Sequence, residues 1–313
     1  MLVWSVGEVL WDVFPDQERL GGAPLNVCAN LQRLGDRGVL LSAVGTDERG
    51  RLALNSMRSL GLSTEYVCEV GELPTGTAAI RAAVDGETEY EIPRRAAFDL
   101  VSSDPRSLEE AAAATVDWLY FGTLLQTELA NEAFIAELTN RLMPARVFYD
   151  MNLRTGHWNL ELVQRLSRQA TVLKLNEQEA ETLFHMTQKV GDKFTLEGFC
   201  RTWASDYSID VICVTLGPEG CMVYDEGTAF RVPGYKVTVC DTVGSGDAFA
   251  AAFLHGYYAG WPILKTARFA NALGALVASR AGATPQWTFD EVIAIIEARP
   301  PSIPAAPPRR PLD

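Results

Sequence analysis

From about residue 104 onward, segments of helical period alternate with short β-rich runs. A chain written this way is satisfied by a parallel sheet covered with helices on both faces. Ser103 or Asp104 caps a helix whose first residue is Pro105, where a missing N–H costs nothing. WLYF at 118–121 reads as a strand, 127–142 as a helix, VFYDMN at 147–152 as a strand, 161–169 as a helix and TVLKLN at 171–176 as a strand. Helices at 177–184 and 195–207 and the strand VICVTLG at 211–217 continue the alternation.

The first third is written differently. WSVGEVLWDVF and TAAIRAAVDGETEYEI (77–92) are strand-rich, with Asp85-Gly86 as a hairpin turn, and they suit a small accessory sheet beside the main one. Between them, Gly21-Gly22 precede APLNVCANLQRLG, a helix with Pro24 in its first turn and Gly35 as its stop. After residue 220, CMVYDEGTAFRV reads as a hairpin, YKVTVC as a strand, and 246–259 and 265–279 as two apolar helices. The 313 residues suit one large α/β domain over 1–299 at roughly 100–200 residues per domain. Six prolines in the last 14 residues make 300–313 an unpacked tail.

The net charge of −13 repels phosphate backbones and argues against a nonspecific nucleic-acid binder. Six scattered cysteines without a Cys-x-x-Cys pair read as reduced, mostly buried apolar residues. The apolar start lacks a basic residue and carries Glu8 and Asp12, so it is a poor signal peptide. No run approaches the roughly 20 apolar residues needed to span a bilayer. The expectation is a cytoplasmic protein. Its three histidines lack metal spacing and are assigned no chemistry.

The sharpest local signal is Asp241-Thr242-Val243-Gly244-Ser245-Gly246-Asp247, set between a strand-like segment and the helix opening AFAAAFLHGYY. Two glycines let consecutive amides turn into one space at a helix N-terminus, which suits an anion such as phosphate. Asp247 would then take the proton of an attacking hydroxyl while the amides hold the charge of the transferring phosphoryl group. The alternative is a helix cap above a glycine turn. No G-x-x-x-x-G-K-[ST] loop occurs, and Phe249 stands where the third glycine of G-x-G-x-x-G should be. Walker-type NTPases and standard dinucleotide folds are therefore unsupported.

The 241–247 stretch resembles the carboxy-terminal signature of the ribokinase-like (PfkB) sugar kinases, and Gly21-Gly22-x-x-x-Asn26 running to Leu34-Gly35 resembles their amino-terminal one. The similarity extends from Gly7 to about Pro285. It implies an α/β, ribokinase-like three-layer fold: a mostly parallel central sheet covered by helices, with a small β-sheet lid from about 10–22 and 72–98. It implies Asp247 as catalytic base and Gly244, Ser245 and Gly246 as the anion hole. Asn176 and Glu179 match the Asn-x-x-Glu motif that orders Mg²⁺, its waters and the ATP phosphates; helix capping by Asn176 is the plainer alternative. Thr215, Gly217 and Gly220 fall in the nucleotide-contacting turn, and Asn271 on the adenine side. Asp12, Gly22 and Asn26 are implied as sugar contacts, and Arg154, in Asp150-Met151-Asn152-Leu153-Arg154, as a phosphate or substrate contact; a surface ion pair is the alternative for Arg154. Carbonyls of Asp241, Val243 and Gly282 are the implied positions for K⁺.

Four of these segments, DMNLR, NEQE, LGPEG and TVGSGD, follow expected strands and so converge at one sheet edge. The expected activity is ATP-dependent phosphorylation of a primary hydroxyl of a small sugar. Fructose leads, because Gly-Glu-x-x-x-Asp, Pro74-Thr75-Gly76-Thr77-Ala78 and Asp-x-Asn-x-Arg look like fructokinases. The rival is 2-keto-3-deoxygluconate, whose acid group would need a cation such as Arg81 or Arg94; a ribokinase-type sugar comes behind. From other classes, a non-catalytic sugar-binding regulator is opposed by the intact Asp247, and an NAD-dependent oxidoreductase by the missing fingerprint. The lid strands suggest a homodimer.

Overall fold

The computed structural model of the protein describes residues 1–82, 88–103, 108–109, 115–142, 146–187 and 193–298, without side chains at 80–82, 88–90, 102 and 103. Strands β1 (Leu2–Val6), β2 (Leu10–Val13) and β3 (Glu18–Gly21) precede helix α1 (Ala23–Arg33). Next come β4 (Arg37–Gly45), α2 (Glu48–Ser59), β5 (Val67–Val70), β6 (Gly76–Ala82) and β7 (Thr88–Glu91). The central part runs β8 (Trp118–Gly122), α3 (Leu129–Arg141), β9 (Arg146–Asp150), α4 (Leu160–Ser167), β10 (Val172–Asn176), α5 (Glu177–Thr187), α6 (Leu196–Tyr207) and β11 (Val211–Thr215). The hairpin β12 (Gly220–Asp225) and β13 (Thr228–Pro233) leads to α7 (Ser245–Tyr258), α8 (Ile263–Ala278) and α9 (Phe289–Glu297).

Nine strands form one sheet in the order β13-β12-β11-β10-β9-β8-β1-β4-β5. All neighbours are parallel except at the β11–β12–β13 end. Successive strand residues point to opposite faces, and the two cores divide accordingly. Leu119 and Phe121 of β8 join Ile135, Leu166 and Leu183 of α3, α4 and α5. Trp118 and Tyr120 join Leu31, Phe253 and Leu273 of α1, α7 and α8. The result is three layers, as the alternation of helix and strand requires. β3-β2-β6-β7 form a separate four-stranded sheet, the expected lid.

β1 departs from the sequence reading. Together with β2 it was expected in the accessory sheet, yet it lies inside the main sheet between β8 and β4. Gly7 is the break between them, and only the chain beyond it reaches the lid. YKVTVC forms no strand: the amides of Cys240 and Asp241 instead both donate to Ala278 O, 2.9 and 3.2 Å away. The strand expected at 147–152 stops at Asp150, and the helix expected from 127 starts at Leu129 after a 3₁₀ turn. The helix at Pro105, the Asp85-Gly86 turn and the proline-rich tail lie outside the described residues. All six cysteines are free thiols, four of them buried, with Cys68 partly buried and Cys240 exposed. No helix among the described residues is long and apolar enough to cross a membrane.

Candidate active site

The carboxyl ends of β8, β9, β10 and β11, the lid and the N-terminus of α7 enclose a cavity of about 210 Å³. Asp247, Gly244, Gly246, Val243, Asp12, Gly22, Asn26, Arg154, Asn176, Glu179 and Thr215 all lie on its wall. Convergence of the βα loops is what a parallel sheet produces, since every strand delivers its following loop to the same edge. The last of the four loops arrives without a preceding strand, held instead through the Ala278 carbonyl.

Gly244 is the N-cap of α7 at φ +78°. A Cβ there would lie 2.3 Å from Ala283 O, so glycine is needed for both conformation and space. The Ser245 amide turns back to Thr242 O at 3.2 Å, and its hydroxyl does the same at 2.8 Å. Ser245 therefore spends its donors on shaping the turn. The amides of Gly246 and Asp247 are first-turn donors for which a helix has no acceptor, and they carry the helix dipole toward the cavity. At Gly22, with φ +115°, a Cβ would sit 2.2 Å from Glu8 O, so α1 can begin beside the β1–β2 corner only at glycine.

Asn26 of α1 donates from Nδ2 to Asp247 Oδ2 at 2.8 Å. Its Oδ1 is buried and accepts nothing, at a site on the cavity wall. A buried acceptor left unmade costs about 1–3 kcal/mol, and a ligand hydroxyl would satisfy it. Burial, with repulsion from Asp150, pushes Asp247 up to about 6, against the Asn26 hydrogen bond, Lys174 and Arg154. Burial likewise pushes Asp12 up to about 6 and Glu8, also on the wall, up to about 7, with Arg154 opposing both. Arg154 thus lies within electrostatic reach of three carboxylates.

Lys174 and Tyr120 carried no motif role, and the structure brings them together on Asp150, the first residue of the Asp-x-Asn-x-Arg segment. Lys174 and Asp150 are directly opposed on β10 and β9. Lys174 Nζ donates to Asp150 Oδ1 at 2.7 Å, and Tyr120 Oη donates to Asp150 Oδ2 at 2.9 Å. A Cβ on Gly246 would stand 3.5 Å from Nζ, so the ammonium borders the first turn of α7. Burial favours the neutral amine, but Asp150, with Asp247 and Glu179, outweighs it and holds Lys174 above its ordinary value. The signal in the sequence was a lysine at an inward position of the apolar strand VLKLN.

The Asn-x-x-Glu motif forms a reciprocal cap on α5. Asn176 Oδ1 accepts from Glu179 N, and Glu179 Oε2 accepts from Asn176 N, both at 2.8 Å. Glu179 Oε1 also accepts from Leu153 N at 2.7 Å, anchoring the DMNLR loop where Asn152 turns at φ +44°. The capping alternative is thus realised, and more besides. Each carboxylate oxygen keeps a second lone pair, so the set fits a Mg²⁺ held through water. Among the described residues no group of three or more His, Cys, Asp or Glu could hold a metal outright.

Other expected site residues lie elsewhere. Asn271 Nδ2 donates to Val232 O and Pro233 O at 3.1 and 3.2 Å, bracing β13. Gly220 sits where a Cβ would meet Val232 O at 2.2 Å, and Gly217 faces open space. None of these three lines the cavity. Asp241 gathers its own turn, Oδ1 accepting from Val243 N at 3.0 Å and Oδ2 from Gly282 N at 3.1 Å.

Residues 7–288 match the family described as pfkB family carbohydrate kinase. The chain belongs to that family. Its sequence is 29% identical to fructokinase-1 of Zea mays, over 95% of this chain and 98% of that one. Its fold is shared with fructokinase with bound ATP from Xylella fastidiosa, at a TM-score of 0.81 and 23% identity over 95% and 98% of the two chains. It is shared equally with 2-dehydro-3-deoxygluconokinase from Thermotoga maritima, at 0.80 and 21% over 95% and 99%. In this carbohydrate kinase the 241–247 turn, the buried Lys174 and the wall formed by Asp12, Gly22 and Asn26 share a single cavity.

Proposed function

We propose that the enzyme transfers the γ-phosphoryl group of ATP to a primary hydroxyl of D-fructose. The observation that carries this is Asp247 at the cavity end of α7, held by Asn26, whose free Oδ1 lies beside it. Asp247 takes the proton of the hydroxyl, the amides of Gly246 and Asp247 with Lys174 receive the phosphoryl charge, and Asp12, Asn26 and Gly22 hold the sugar. Thr215 on the wall, the turn of Gly217 and Gly220, and Asn271 through its brace on β13 would form the nucleotide side. Asn176 and Glu179 would hold Mg²⁺ through water, and the ion would supply positive charge against the phosphates of ATP. A monovalent cation would sit at the carbonyls of Asp241, Val243 and Gly282, which the Asp241 carboxylate draws into one turn.

A neutral sugar suits the pocket better than a sugar acid. A substrate carboxylate would enter beside Glu8, Asp12 and Asp247, with Arg154 and the already paired Lys174 as the described cations on the wall. Arg94 is committed to Asp99 at 2.5 Å and to Leu124 O, and the side chain of Arg81 lies outside the described part. Relatives named fructokinases, such as that of Zea mays, support the same choice. A panel of fructose, ribose and 2-keto-3-deoxygluconate in an ATP-consumption assay decides: turnover of the keto acid with none of fructose overturns the assignment. We read the lid edges, β3 and β7, as surfaces for pairing with a second copy; a monomer by sedimentation at micromolar concentration would refute that.

A further inference from the structure

Arg19 on β3 lies directly across from Asp12 on β2. Opposed cross-strand residues share one face of a sheet, with Cβ atoms about 4.5–5.5 Å apart. The Arg19 charge already acts on Asp12, lowering its proton affinity against the effect of burial. The same guanidinium leaves the lid: Nη1 donates to Asp241 Oδ2 at 2.5 Å, bridging 222 positions of sequence. Asp241 opens the turn that ends in Asp247, and its carboxylate also holds the amides of Val243 and Gly282. Ala283, next to Gly282, is the backbone against which Gly244 is packed. One carboxylate therefore joins the lid, the anion-binding turn and the loop behind it.

We propose that Arg19 is a positioning residue that couples sugar occupancy to assembly of the phosphoryl cradle. A sugar whose hydroxyls engage Asp12 holds the lid sheet down, which places Arg19 on Asp241 and completes the charge balance of the 241–244 turn. With the lid raised, Asp241 loses its cation and the turn loses a tie to the rest of the site. Closure thus favours the ordered cradle only when an acceptor is present, and the coupling must be reciprocal between sugar and ATP. The inference rests on the roles proposed above for Asp12 and Asp247, but not on which sugar is bound.

The test uses the full chain with Arg19→Met, Arg19→Lys, Asp241→Asn and the Arg19→Met/Asp241→Asn double variant. Sugar and ATP dissociation constants are measured separately and together, alongside steady-state kinetics. In the wild type each ligand should tighten the other by roughly 5- to 100-fold. In Arg19→Met that factor should fall toward one and kcat should drop about tenfold or more, with the dissociation constant of the sugar alone nearly unchanged and the sugar KM at saturating ATP raised by the lost coupling; Arg19→Lys should recover part of both. The double variant should be no slower than the worse single one, since both remove the same tie. A raised sugar KM with kcat and coupling intact would make Arg19 merely a piece of lid structure and overturn the inference, as would additive losses in the double variant. A wild type that phosphorylates no sugar would instead defeat the functional reading itself.

Discussion

Asp247 is a carboxylate raised toward neutrality by burial and by Asp150, and restrained by Asn26, Lys174 and Arg154. Since it must be ionised to accept a proton, kcat/KM should fall as pH drops through about 6. Asn26→Ala removes a bond to the ionised form, so the acidic limb of that profile should move to higher pH; an unmoved limb would mean another group sets it. Asp247→Asn should slow turnover by about 10²–10⁴-fold while sugar binding persists, and unchanged turnover would remove it as the base. The residues that announced themselves in the sequence were those whose type is odd for their place, such as an Asp among anion-directed amides. Lys174 was less legible because a single polar residue in a strand has no spacing pattern, and its partners Asp150 and Tyr120 come from other strands. Asn271 shows the reverse: it matched a motif by position, yet its amide is spent on the Val232 and Pro233 carbonyls.

Helix α7 has two jobs, because its N-terminus faces the cavity while Ala248 to Leu254 are buried without interruption. Gly244→Ala forces a Cβ into Ala283 and should misplace the first-turn amides, cutting kcat by about 10²–10³-fold, the usual loss for one oxyanion donor; activity within a factor of two of wild type would show that the turn is not the cradle. β4 escaped the sequence reading because nearly all of Arg37–Gly45 is buried, leaving no polar alternation to mark it. YKVTVC has the alternation of a strand but found no neighbour with which to pair. Thr75, in the stretch that looked fructokinase-like, roots the lid rather than the sugar: its amide and hydroxyl both donate to Asp47, at 2.9 and 2.6 Å.

The whole molecule carries an electrostatic cost for its site. Glu8, Asp12 and Asp247 are all held above their ordinary values, at about 7, 6 and 6. Between about pH 4 and 7 the folded protein therefore binds protons that the unfolded chain has released. Their contribution to stability is fully present at the acidic end of that window and is lost as pH rises through 6 to 7. The sugar-free enzyme should melt lower at pH 8 than at pH 5.5 by calorimetry, and Glu8→Gln should shrink the difference; a melting temperature that rises across this range would contradict the raised values. Activity and stability should thus run in opposite directions with pH, because Asp247 must be ionised to act as the proposed base while all three groups favour the folded state when protonated. The sequence by itself determined the layered α/β architecture, the small second sheet and the glycine turn at the start of α7, because periodicity and glycine placement act locally and leave their mark on the chain. Only the tertiary structure decided that β1 belongs to the main sheet, that Lys174 stands beside Gly246, and that Arg19 reaches Asp241. Those depend on strand order and on distances between residues far apart in the chain, which no local pattern encodes.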